Sequence, residues 1–233
     1  MSVFAADSTA VLVHGAWADG TCWAKVILPL QKAGLNVMCA PIPLTSLAED
    51  IAALERALQK TAGPVVLAGH AYAGAVIAGA TKDRVRSLVY VAALAPAEGE
   101  TVADVFYRGA PHPQAPHLQP DACGFIWMPE GGFASAVAQE ASAEQNAILQ
   151  AVQRPISVRC IQEKASVPAW KTKPSWYLLA EDDRMIPAET QRYMAERMGA
   201  RIRAHKVDHS PMHTEPDAVV HVILEAAQAT LAA

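Results

Sequence analysis

Apolar residues along the chain fall into short β-branched runs separated by stretches with helical spacing. The first run, Val11-Leu12-Val13, stops at His14-Gly15. A helix is expected over residues 21–33, closed by Gly34, which suits the left-handed position after a helix end. Val37-Met38-Cys39-Ala40 reads as a second buried strand, ended by Pro41-Ile42-Pro43, which cannot be helical. Ser46 is placed to cap a helix reaching about residue 61, with Ile51, Leu54 and Leu58 on one face. Beyond Gly63-Pro64 the pattern predicts a strand over 65–68, a tight turn, a helix over 72–81 and a strand over 88–92. Short strands alternating with helices imply right-handed crossovers and a mostly parallel sheet.

The rhythm breaks at Pro96. Residues 97–172 are richer in Pro, Gly and His, and helical spacing returns only over 132–140 and 143–152. Phe106, Phe125, Trp127, Phe133 and Trp170 argue against a disordered linker. This segment reads as a small helical cap inserted into a core made of residues 1–96 and 173–233. The core resumes with the strand Ser175-Trp176-Tyr177-Leu178-Leu179-Ala180 and a helix opened by Pro187. A strand over 201–207 and a last helix over 215–231 complete it. The expected class is α/β, with about six strands flanked by helices.

The chain has 233 residues, enough for one large domain with a sizeable core. A formal net charge of −4 gives no electrostatic reason to expect nucleic acid or an anionic membrane as partner. Cys22, Cys39, Cys123 and Cys160 form no C-x-x-C pair, so free thiols in a reducing compartment are expected. No apolar run reaches the roughly 18 residues that would cross a bilayer. The first residues lack a basic segment followed by a long apolar stretch, and the expected location is the cytoplasm.

Candidate chemistry concentrates at four strand ends. Gly69-His70-Ala71-Tyr72-Ala73-Gly74 joins a strand to a helix, with small residues two before and two after position 71. That is the steric requirement of a nucleophile elbow, a turn so sharp that larger side chains collide. A serine at 71 would stand above the sheet at the helix N-terminus, where the Tyr72 backbone N–H could meet an oxyanion. His14-Gly15-Ala16-Trp17 follows the first strand, and Ala16 is the candidate second donor. In Glu181-Asp182-Asp183-Arg184, Asp183 is favoured as the acid that orients an imidazole, with Asp182 as fallback and Glu98 or Glu100 as a variant arrangement. In Asp208-His209-Ser210-Pro211-Met212-His213, His209 is the candidate base and His213 the next. The chain order 71, 183, 209 is that of nucleophile, acid and histidine. His112, His117 and His213 have no carboxylate or Cys at ligand spacing, so no metal is expected.

These motifs together resemble the small α/β-hydrolases, nearest to esterase-like proteins akin to plant methyl-ester esterases and hydroxynitrile lyases. The resemblance runs nearly end to end. It implies a Ser-His-Asp triad, no cofactor, and a small ester bound between cap and core. It places the missing serine at Ala71, the acid at Asp183, the base at His209 and the oxyanion donors at Ala16 and Tyr72. The lyase branch carries a lysine after the histidine, where this chain has Ser210, which disfavours cyanohydrin cleavage.

Alanine has no lone pair with which to attack a carbonyl. The chain therefore reads as a carboxylic-ester hydrolase inactivated at position 71, and the retained acid, histidine and elbow favour a serine replaced on purpose. Two rival readings are a ligand-binding pseudoenzyme and cofactor-free, non-hydrolytic chemistry run by the His209–Asp183 pair. Trp17, His70, Phe106, Trp127 and Phe133 are the expected pocket residues, lining a mostly apolar site for a small-molecule substrate. Oligomeric state is not legible.

Overall fold

A computed structural model describes residues 4–232. The core begins with β1 (Thr9–Val13), a single 3-10 turn (Gly20–Trp23), α1 (Ala24–Lys32), β2 (Asn36–Ala40), α2 (Leu47–Leu58), β3 (Val65–His70), α3 (Ala73–Ala78) and β4 (Val85–Val91). The intervening segment carries α4 (Val102–Phe106), β5 (Phe125–Ile126), a π-helical turn (Phe133–Val137), α5 (Ala143–Val152), β6 (Ile156–Ser157) and α6 (Val158–Gln162). The core then continues with β7 (Ser175–Ala180), α7 (Ala188–Arg197), β8 (Arg201–His205), α8 (Pro211–Thr214) and α9 (Pro216–Thr230). Six strands form one sheet in the order β2-β1-β3-β4-β7-β8, every pairing parallel.

Near-continuous apolar strands are what a parallel sheet covered on both faces requires. Along β1, Val11 and Val13 pack on one face with Leu54 and Leu58 of α2 and Met194 of α7. Ala10 and Leu12 pack on the other with Val26 and Leu30 of α1 and Val219 and Ile223 of α9. From the segment between β4 and β7, Ile126, Met128, Phe133, Ile156 and Cys160 join the first of these clusters.

Some local expectations change. α3 ends at Ala78 rather than near residue 81, because the Thr81 backbone N–H is taken by the Glu55 carboxylate of α2 at 2.7 Å. Residues 132–140 form only a π-helical turn, closed by Ala138 N–H on the Phe133 carbonyl at 2.8 Å. α4, α6 and the antiparallel pair β5–β6 were not expected; elements of two to five residues are too short to show a hydrophobic period. Among the described residues no helix is long and apolar enough to cross a membrane, and all four cysteines are free.

Candidate active site

β3 runs into Gly69-His70 and turns into α3 through Ala71, whose φ is 50°. This left-handed conformation costs a non-glycine residue about 1 kcal/mol. It persists because the surroundings pin it. The Ala71 N–H donates to the Val91 carbonyl at 3.2 Å, and the Ala71 carbonyl accepts from Leu94 N–H at 2.9 Å and Gly74 N–H at 3.1 Å. A Cβ on Gly69 would lie 2.8 Å from the Ala73 carbonyl oxygen, and one on Gly15 would lie 3.0 Å from the Ala71 Cβ. Gly69 thus leaves room for the elbow's own return, and Gly15 lets the loop after β1 approach the Ala71 methyl and His70 closely.

His209 lies on the loop between β8 and α8, with Nδ1 2.8 Å from Asp183 Oδ2, and both residues are buried. Asp183 Oδ1 accepts from the backbone N–H groups of Met185 (2.7 Å) and Ile186 (2.8 Å). Its Oδ2 also accepts from Gln191 Nε2 at 2.8 Å. A carboxylate surrounded by donors presents an acceptor to the imidazole, so Nδ1 carries the hydrogen and Nε2 keeps its lone pair. That is the tautomer a general base needs. The main chain of the base is held too: His70 Nε2 donates to the His209 carbonyl at 2.7 Å. Asp208, the sequence neighbour, serves the loop instead. Its Oδ1 accepts from Ser210 N–H (3.1 Å) and Thr214 Oγ1 (2.8 Å), and its Oδ2 from Glu140 N–H (3.1 Å).

Two cavities meet at this point. The larger, about 60 Å³, is lined by Ala16, Trp17, Ala71, Tyr72, Phe106 and His209, with Leu118, Ile126, Ile156, Ile161, Met185 and Ile186 among the further apolar walls. The smaller, about 30 Å³, is lined by Cys22, His70, Phe133, Val137, Leu149, Met212 and His213 and shares Ala16, Trp17, Ala71 and His209 with the first. Within the described residues neither the Ala16 nor the Tyr72 backbone N–H donates to a protein acceptor. Two such donors beside residue 71 suit charge developing on a carbonyl oxygen.

The structure thus brings Ala71, Asp183, His209, Ala16 and Tyr72 together, with Trp17, Phe106, Phe133 and His70 on the cavity walls. Trp127 is a correction. It is 48% exposed, its indole N–H donates to Asp121 Oδ2 at 3.2 Å, and it lines neither cavity. Its neighbour Ile126, the last residue of β5, is the one that faces inward. Of the weaker candidates, Asp182 is exposed, Glu98 pairs with Lys171 and Glu100 with Arg197. Gln191 is a residue that sequence reasoning missed. Fully buried on α7, it clamps Asp183 while its Oε1 accepts from Ala180 N–H at 3.0 Å. Only its position eight residues after Asp183 could have hinted at this role.

The site carries a built-in sensitivity to acid. Burial pushes the His14 imidazole down to about 4, burial and then Lys25 do the same to His213, and burial and then His209 hold His70 well below the usual histidine range. A histidine with a lowered folded pKa takes up its proton first when unfolded. The stability it leaves intact above pH 6.5 is lost as pH falls from there toward 4, about 2 kcal/mol by pH 5 for one such group. Asp50 and Asp208 oppose this, since burial raises both carboxyls and their penalty is relieved toward pH 3.8. With three histidines against them, the urea midpoint should fall between pH 7 and pH 5, and His14→Gln should shrink the drop. A midpoint unchanged over that interval would contradict this balance.

The sequence profile of the alpha/beta hydrolase family matches residues 10–222. A carbendazim hydrolyzing esterase of Nocardioides sp. (strain SG-4G) is 31% identical over 116 residues, 43% of this chain and 48% of that protein, so this match spans about half the esterase's length. Alpha/beta hydrolase nvfD of Aspergillus novofumigatus (strain IBT 16806) is 27% identical and covers 93% of this chain and 95% of its own. Among solved structures, polyneuridine aldehyde esterase superposes with a TM-score of 0.81 at 18% identity, over 94% of this chain and 98% of that one.

Proposed function

Because the chain belongs to the alpha/beta hydrolase family, we propose that its site binds a small, largely apolar ester and is arrested there by Ala71. The observation that carries this reading is His209, held 2.8 Å from Asp183 and lining the same cavity as a strained elbow residue that ends in a methyl group. In the full reaction a residue-71 hydroxyl would give its proton to His209 Nε2 and attack the carbonyl. The resulting oxyanion would lie against the Ala16 and Tyr72 N–H groups. The alcohol would leave with the proton from His209, and water activated by the same imidazole would release the acid. With alanine the first of these transfers has no donor. The esterase chemistry of the carbendazim-hydrolysing relative supports a small-molecule substrate, and the apolar walls support an uncharged one.

The intact dyad favours a second reading, in which His209 takes a proton directly from water or from a carbon acid, without a covalent intermediate. One experiment separates the two. The chain should bind p-nitrophenyl acetate in a calorimetric titration and release p-nitrophenol no faster than its His209→Ala variant. Release that depends on His209 with Ala71 in place favours the second reading. Failure to bind small esters at all contradicts the first reading.

A further inference from the structure

Asp50 is a buried carboxylate that the reaction does not use and that is hydrogen-bonded to Tyr72, a wall of the larger cavity. It is wholly inaccessible, yet it is not needed as a helix cap: the Ser46 hydroxyl already accepts from Glu49 N–H at the start of α2. Burying a carboxylate costs several kcal/mol unless donors surround it. The donors here come from three separate segments. Leu44 N–H donates to Oδ1 at 2.7 Å, the Tyr72 hydroxyl donates to Oδ2 at 2.7 Å, and the Cys160 thiol approaches Oδ2 at 3.6 Å.

Each donor belongs to a part of the site. Tyr72 follows the elbow residue, supplies a candidate oxyanion N–H and forms a wall of the larger cavity. Leu44 sits at a φ of 63°, and its carbonyl in turn accepts from Ser157 N–H at 2.9 Å. Beside it the Ile42 carbonyl accepts from Arg154 Nη1 at 3.2 Å. Residues 154–160 are therefore fastened to the loop after β2, and that loop is fastened to Asp50. Ile156 and Ile161, on or next to this docked stretch, are cavity walls.

We propose that Asp50 is a positioning residue, holding Tyr72 against the elbow and seating the 154–161 stretch of the cap as the wall of the substrate cavity. It acts through others and touches no reacting atom. Burial raises its carboxyl, with the Tyr72 hydroxyl foremost among the groups drawing it back, consistent with a side chain retained for geometry. A merely structural role would lower stability without separating the kinetic constants.

The inference rests on the hydrolase reading, and its test is built to stand apart from it. In an Ala71→Ser background, Tyr72→Phe removes only the hydroxyl and should lower kcat about tenfold to a hundredfold, as expected for a misplaced oxyanion donor, with a smaller change in KM. Asp50→Ala should lower kcat and also raise KM, because both Tyr72 and the cap wall lose their anchor. Asp50→Asn should recover part of each loss, since its amide NH2 can donate to a reversed Tyr72 hydroxyl. If Asp50→Ala does not fold, Tyr72→Phe and Asp50→Asn still decide. Should Ala71→Ser itself be inactive, the hydrolase reading fails, and the Asp50 variants of the parent chain are titrated with p-nitrophenyl acetate instead. Several-fold weaker binding with a cooperative melt then supports the inference. Folded variants whose kcat and KM, or whose binding, stay within twofold of their parent overturn it.

Discussion

Ala71→Ser is expected to raise hydrolysis of p-nitrophenyl acetate by at least about a thousandfold over the parent chain, since loss of such a nucleophile costs on the order of a millionfold. The gain does not require the site to be rebuilt. The left-handed φ of 50° at position 71 is already in place, pinned by Val91 and Leu94, and the side chain lines the same cavity as the His209 ring. A serine there costs one added oxygen in a space open to two cavities. His209 already has the tautomer that leaves Nε2 free to take the proton. The parent and variant compared under the same conditions give the answer, and equal rates would mean that the dyad is not directed at residue 71.

Asp183→Asn in that serine background is expected to cost most of the gain, at least about a hundredfold in kcat, through the tautomer rather than through lost packing. Two backbone N–H groups, from Met185 and Ile186, point at Oδ1, so the amide oxygen of an asparagine settles there. Its NH2 must then occupy the Oδ2 position, facing the Gln191 NH2 and the His209 Nδ1–H. Donor meets donor at both contacts. The imidazole escapes by moving its hydrogen to Nε2, which can no longer accept from serine. The pH–rate profile and kcat of the double variant check this, with KM expected to change much less. A fall of less than tenfold would show that Asp183 does not set the state of His209.

The elbow was legible in sequence because its constraint is steric and local. Gly69 and Ala73 are small for a reason that can be stated without coordinates, and in the structure a Cβ on Gly69 would lie 2.8 Å from the Ala73 carbonyl oxygen. The alternation of strands and helices was legible because both faces of each central strand are buried, so runs such as Val65-Val66-Leu67 are apolar throughout. Asp183 could be separated from Asp182 by its distance to Pro187, and burial of one with exposure of the other follows the same division. What escaped depends on contacts between distant segments. Asp50 looks like an ordinary first-turn acid of α2, and nothing near it in sequence announces Tyr72 or Cys160 as its partners. Gln191 reads as a surface residue of a polar helix until its amide is found on Asp183. Trp127 misled in the opposite direction: an aromatic in the cap was expected inside, but just past the end of β5 it turns outward to Asp121, while Ile126 of β5 faces inward.

The most direct measurement is intact-mass spectrometry of the Ala71→Ser protein quenched during turnover of p-nitrophenyl acetate. The account predicts one acetyl group on the introduced serine, absent from the parent and lost when His209 is also replaced by alanine. Hydrolysis without any acylated protein, or acetyl groups placed elsewhere and indifferent to His209, would contradict it.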